Sequence, residues 1–175
     1  MKMVHMQNRS EPRPSSTWKH GFVAVGLLLL SASPSLAQRE GPFAALPGSW
    51  SGSGTITMSN GSRERIRCDG QYRLASQTNV QIQLNCASDS YRFQLRGDAV
   101  ANDRSLAGTW SETSRGVAGK IFGRINGNRL EMRADGQTFS ALLNMTTRGS
   151  RQTISIRSPG SEMSEVSISL SRRSR

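Results

Sequence analysis

Histidine is almost missing from this sequence. Only His5 and His20 occur, and both precede residue 37, where the chain is expected to be cut. The segment that follows has none. That excludes Ser-His-Asp and Cys-His nucleophilic catalysis, imidazole acid–base chemistry and His-ligated zinc, haem or copper. Lysine is nearly as scarce: after residue 37 Lys120 stands alone, and every other basic side chain is arginine. The chain has two cysteines, Cys68 and Cys86. No apolar run reaches the ~20 residues that span a membrane; the longest uninterrupted one, residues 21–30, is ten residues. Acids are few, 12 against 23 basic residues.

What is present begins with a three-part N-terminus. Lys2, Arg9, Arg13 and Lys19 face one acid, Glu11, before the apolar run. Pro34, Ser35, Leu36 and Ala37 then supply a helix breaker and an A-x-A-like cleavage site. Residues 1–37 are therefore expected to be a signal peptide, sending the protein to the periplasm or the cell exterior. The residue directly after the cut is Gln38 rather than cysteine, which argues against a lipoprotein anchor. Residues 1–37 carry four basic side chains and one acid, so the remaining chain keeps 19 and 11, a net +8. Such a balance favours an anionic envelope surface or an acidic partner; the bland alternative is a solvated basic face.

From residue 48 on, apolar and polar residues alternate in short runs separated by turn signals, with no helical period. A two-residue hairpin turn pairs residues of constant sum, and paired residues share a face. A turn at Ser88-Asp89 sets Leu84 opposite Phe93; one at Asn102-Asp103 sets Leu95 opposite Trp110. Arg115-Gly116 sets Trp110 opposite Ile121, Asp135-Gly136 sets Met132 opposite Phe139, and Arg148-Gly149 sets Leu143 opposite Ile154. Around Asn126, Gly127 and Asn128 either choice of turn keeps Ile121 and Ile125 on the face of Leu130. All these turns agree on one apolar face. A five-residue loop over 75–79 sets Leu74 opposite Val80 and Cys68 opposite Cys86, so a disulfide is expected in an oxidising compartment. The turn at Asn60-Gly61 needs an extra, bulged residue to bring Ile56 opposite Ile66.

The opposite face is polar except for Phe122 and Leu142. The expected fold is all-β: an antiparallel up-and-down meander of about eight to ten strands closing into a barrel, with one disulfide. A folded-over sandwich is the alternative. The expected organisation is a signal peptide over 1–37, an N-terminal arm over 38–47, the barrel over 48–171 and a basic tail over 172–175.

Gly48-Ser49-Trp50 recurs as Gly108-Thr109-Trp110. This G-x-W element resembles the first-strand signature of the calycin group, which includes lipocalins and avidins. The resemblance implies a barrel closed at one end by the Trp. The second lipocalin signature and the avidin biotin pattern are absent, so no ligand carries over. Trp50, Cys68 and Cys86 are also spaced as in the bacterial periplasmic metalloprotease inhibitors. That resemblance implies an N-terminal arm entering a protease cleft, here the segment with Pro42, Phe43 and Leu46.

Two non-enzymatic readings follow. Trp50, Tyr72, Phe93, Trp110 and Phe139 are candidates to line a pocket for a small apolar or amphipathic ligand, with inward Gly52, Gly54, Gly70, Gly97, Gly108 and Gly123 leaving room. The same aromatics would otherwise simply be core, with the glycines letting the sheet coil. The second reading is an envelope protein-interaction module such as a protease inhibitor. Arg67, Arg73, Arg92 and Arg96 are candidates for an anionic partner. Outward aromatics are too few for nucleic acid. No catalytic, metal or cofactor set is expected: the acids stand mostly at turns.

Overall fold

Period-two alternation carries straight into burial. Along β2 (Arg63–Ser76), Ile66, Cys68, Gly70 and Tyr72 are buried while Arg65, Arg67, Asp69 and Arg73 are exposed. A computed structural model describes residues 40–138 and 140–174; the expected signal peptide and Phe139 lie outside the described residues. The same pattern runs through β1 (Gly48–Met58), β3 (Asn79–Ala87), β4 (Arg92–Asn102), β5 (Ser105–Glu112), β6 (Val117–Asn126), β7 (Arg129–Asp135), β8 (Ser140–Arg148), β9 (Arg151–Arg157) and β10 (Met163–Arg172). Each strand pairs antiparallel with its sequence neighbours, and β10 pairs with β1, giving a closed ten-stranded barrel. Closure is how a sheet with one apolar face hides that face and removes its edges.

The face assignment holds, and several registers move by an even number of residues. Leu84 lies opposite Leu95, Gly97 opposite Trp110, Trp110 opposite Gly119, and Leu143 opposite Ile156. Met132 lies opposite Leu143 and Ala134 opposite Ala141. An even shift keeps every inward residue inward. The reason is loop length. Residues 88–91 and 113–116 form four-residue loops, so Ser88-Asp89 and Arg115-Gly116 sit within wider connections than a two-residue turn, and Asp135 still pairs with Ser140 at the end of β7. The β4–β5 and β8–β9 hairpins do have two-residue turns, but these are Asp103-Arg104 and Gly149-Ser150, each one residue later than expected. Asp103 and Gly149 there have positive φ, as such tight turns require. Ile66 faces Gly54 rather than Ile56, and the bulge lies on the other side of β1, at Thr57 and Met58 against β10. The Cys68 hairpin has the expected register, with Leu74 opposite Val80 and Cys68 opposite Cys86. The disulfide joins the two cysteines, both buried, across a Cα separation of 4.1 Å.

The two ends of the barrel differ. Residues 77–78, 103–104, 127–128 and 149–150 make tight connections at one end. The longer loops gather at the other, here termed the loop end. The tight-turn end is plugged by the segment before β1. Residues 41–45 form a turn closed by Ala44 N–H donating to Gly41 O (3.0 Å), and Phe43 and Leu46 are 1% and 4% exposed. A Cβ on Gly41 would fall 2.2 Å from Gln77 O, so this turn packs directly on the β2–β3 connection. Apolar Phe43 and Leu46 find no sheet position to occupy and cover the barrel floor instead. Residues 40–47 are thus a packed plug, not a free arm.

Candidate functional site

Beneath the plug, the two largest fully buried side chains meet. Trp50 and Tyr72 are 0% and 1% exposed, with ring centroids 6.3 Å apart at 86°. Trp50 Nε1 donates to Leu46 O at 2.9 Å. Arg172, from the last strand, lays its guanidinium 4.3 Å from the Trp50 ring and donates to the carbonyls of Ala45 and Pro47. Arg173 pairs with Asp69. The segment expected as a basic tail therefore closes the end of the barrel: Arg172 belongs to β10 and clamps the plug. The Tyr72 hydroxyl donates to Gln152 Oε1 (2.7 Å), and Gln152 Nε2 donates to Thr147 Oγ1 (3.0 Å). Burial pushes the Tyr72 hydroxyl far above its ordinary pKa, which the bond to Gln152 offsets only in part. These groups are satisfied and sealed, and they form the floor of the interior.

Part of the inner wall is less closely covered. Ile82, Leu95, Ile121, Leu143 and Ile156 face inward by alternation yet are only partly buried, packed along the edge of the core. Ten strands enclose a wider space than the eight whose side chains just fill a barrel. The inward glycines separate into two kinds. A Cβ at Gly52, Gly54, Gly108, Gly119 or Gly123 would come within 1.8–2.2 Å of a carbonyl oxygen on the adjacent strand. Those glycines let neighbouring strands approach as the sheet coils; they leave no room. At Gly97 the nearest atoms to an added Cβ are 3.8 Å away, and at Gly70 3.4 Å. Gly97, beside Ile82 and Leu95, is the position where a missing side chain leaves space.

The four described aromatics among the five expected to line a pocket are not gathered in one place. Trp50 and Tyr72 lie in the sealed floor. Phe93, opposite Cys86, and Trp110, opposite Gly97, are each 7% exposed. Trp110 Nε1 donates to Lys120 O (3.2 Å), and a Cβ on Gly119 would lie 3.0 Å from that nitrogen, so the indole lies against β6. Phe139 lies outside the described residues. The half-buried aliphatic residues went unnoticed in the sequence because their inward phase is shared with true core.

One rim carboxylate is also new. Glu112, 7% exposed, ends β5 and accepts the N–H groups of Gln94 (2.8 Å), Ser114 and Arg115 (2.9 Å each). Burial raises its pKa, but these donors outweigh burial and hold the carboxyl below its ordinary value. It ties the 113–116 loop to β4, a structural task rather than acid–base work. Glu64 is similarly lowered, by the Ser88 hydroxyl and the Ser90 N–H.

The four candidate arginines are all exposed on the outer face. Arg67 and Arg92 lie in one cross-strand row on either side of Ala87, while Arg73 and Arg96 stand in other rows. Two depressions mark the barrel wall. One, of about 580 Å³, is lined by Ser53, Thr55, Arg63, Arg65, Ser167 and Ser169; the other, of about 520 Å³, spans β3 to β6 and is lined by inward Ile82, Gly97 and Trp110 as well as by outward Gln83, Arg96 and Thr109. Among the described residues no cluster of His, Cys, Asp or Glu could hold a metal ion.

No protein-family model matches the chain, and no curated protein matches it. Solved structures share its fold. The Mycobacterium tuberculosis protein Rv2717c superposes with a TM-score of 0.59 at 14% identity, over 75% of this chain and 95% of that one. The S-type phycobiliprotein lyase CPES of Guillardia theta superposes with a TM-score of 0.56 at 10% identity, over 76% and 90%. The chain has the architecture of these small antiparallel barrels.

Proposed function

We propose that this protein is an exported, non-enzymatic barrel that takes a small apolar or amphipathic ligand through its loop end. The observation that carries the reading is the contrast between the floor and part of the inner wall. The floor is sealed by Phe43, Leu46, Trp50 and Arg172, whereas inward Ile82, Leu95, Ile121, Leu143 and Ile156 remain partly open and the Cβ position of Gly97, beside Ile82, is empty. Ligand sites are concave and mostly apolar, and these side chains offer a guest aliphatic contact with no buried charge to desolvate. The half-buried aliphatic residues replace Trp50 and Tyr72 as the proposed contacts, with Phe93 and Trp110 beside them. The protease-inhibitor alternative needs a free N-terminal arm, and Phe43 and Leu46 of that arm are packed inside the floor.

Nile red, a neutral apolar dye, tests the reading with residues 38–175. Its emission should rise on binding, and Gly97→Leu should weaken the affinity at least tenfold while leaving the urea midpoint no lower than wild type. Undiminished binding by Gly97→Leu overturns the interior site.

A further inference from the structure

Outward positions on this barrel are polar almost throughout, and the exceptions fall together. Of the exposed large apolar side chains Leu74, Val100, Phe122 and Leu142, three share one cross-strand row. Val100 lies opposite Ala107, Ala107 opposite Phe122, Phe122 opposite Arg133, and Arg133 opposite Leu142. Phe122 and Leu142 are 48% and 53% exposed. The core takes their inward neighbours Ile121 and Leu143, so nothing in the folding of the barrel requires an aromatic and a leucine here.

The surrounding charge identifies what covers them. Exposed Lys120 and Arg124 bracket Phe122 along β6, and neither makes an ion pair among the described residues. Arg133 stands between Phe122 and Leu142, and Arg157 lies beyond Leu142 in the same row. The neighbouring acids are already held: Glu131 by Arg129 (3.6 Å), Asp135 by Arg133 (2.7 Å) and Glu165 by Arg157 (3.7 Å). The patch thus shows unpaired cations and no unpaired anion.

We propose that this face docks peripherally on an anionic phospholipid bilayer. Phe122 and Leu142 enter the boundary between headgroups and acyl chains, and the unpaired Lys120 and Arg124 meet lipid phosphates. Two strand spacings of ~4.8 Å set Phe122 and Leu142 ~10 Å apart, so one facet of the convex wall delivers both. The mode is independent of the interior site, whose residues face the other way.

Co-sedimentation of residues 38–175, which contain every strand, with phosphatidylglycerol-containing vesicles tests the proposal. Binding should be at least tenfold stronger than to phosphatidylcholine alone. Phe122→Ser combined with Leu142→Ser should weaken it at least tenfold, and Leu74→Ser, an exposed leucine elsewhere, should leave it unchanged. Lys120→Gln combined with Arg124→Gln should remove most of the preference for the anionic lipid. Emission from a Phe122→Trp variant should shift to the blue on those vesicles and be quenched by brominated acyl chains. Vesicle binding indifferent to the double serine variant overturns the proposal. So does Phe122→Trp emission unmoved by vesicles, or a solution dimer that the double serine variant dissociates.

Discussion

Replacing Gly108 by alanine should damage this barrel, whereas the same change at Gly97 should help it. Both glycines face inward, on adjacent strands. At Gly108 the new methyl would lie 2.0 Å from Asp98 O and 2.8 Å from the Ala99 Cα, backbone atoms that the β4–β5 ladder holds in place. Relieving that overlap means moving a strand by about an ångström, and overpacking of this kind costs about 1–3 kcal/mol, here at the upper end because no flexible side chain can give way. At Gly97 the methyl meets nothing nearer than 3.8 Å and φ is not in the left-handed region. There the loss of unfolded-state freedom should stabilise by about 0.4–1 kcal/mol. The two variants should therefore differ by about 2–4 kcal/mol, a separation in Tm on the order of 5–15 °C for a domain of this size. Urea unfolding followed by tryptophan fluorescence measures the difference. Stabilities within about 0.5 kcal/mol of each other, or Gly97→Ala the weaker, would refute the division of the glycines into those that curve the sheet and those that leave space.

Two further outcomes follow from covalent and electrostatic features. Replacing Cys68 and Cys86 together by alanine should cost about 3 kcal/mol, the loop-closure value for a separation of 18 residues; an unchanged urea midpoint would contradict this. Glu112 is held below its ordinary carboxyl pKa, so its contribution is fully present above that ordinary value and is lost as pH falls through the lower folded one. Glu112→Gln should cost about 1–3 kcal/mol at neutral pH and flatten the acid limb of stability, and a limb as steep as wild type would contradict it.

Much of the fold was legible because period-two alternation is a local signal that survives errors in turn length. Taking 88–91 or 113–116 as two-residue turns moved each register by two residues yet left Leu95 and Trp110 facing inward. The wider loops were hidden because a carboxylate organises the second of them: Glu112 accepts the N–H groups of Ser114 and Arg115 while holding that of Gln94, and no turn dipeptide records that. The plug was illegible for a similar reason. Phe43 and Leu46 lie outside any periodic run, and their destination, the floor above Trp50, exists only once the barrel closes. The glycines could be placed inward from the sequence, but whether each opens space or admits a carbonyl depends on local coiling, which side-chain pattern does not encode.

The seam between β1 and β10 has a kinetic consequence. Every other strand pair joins sequence neighbours and can form as a hairpin, while this one waits for both ends of the chain; Pro47 and Arg172 meet across 125 residues. Local pairings form fast and the long-range pairing comes last, so a late intermediate should be a curled sheet with two unpaired edges. Its edge strands carry Ser49, Ser51 and Ser53 on one side and Ser167, Ser169 and Ser171 on the other, all pointing outward. Hydroxyl-bearing edges are poor templates for aggregation compared with apolar ones. Serine along the seam thus protects the chain during the interval before Arg172 reaches Trp50, after which the barrel has no edge left to protect.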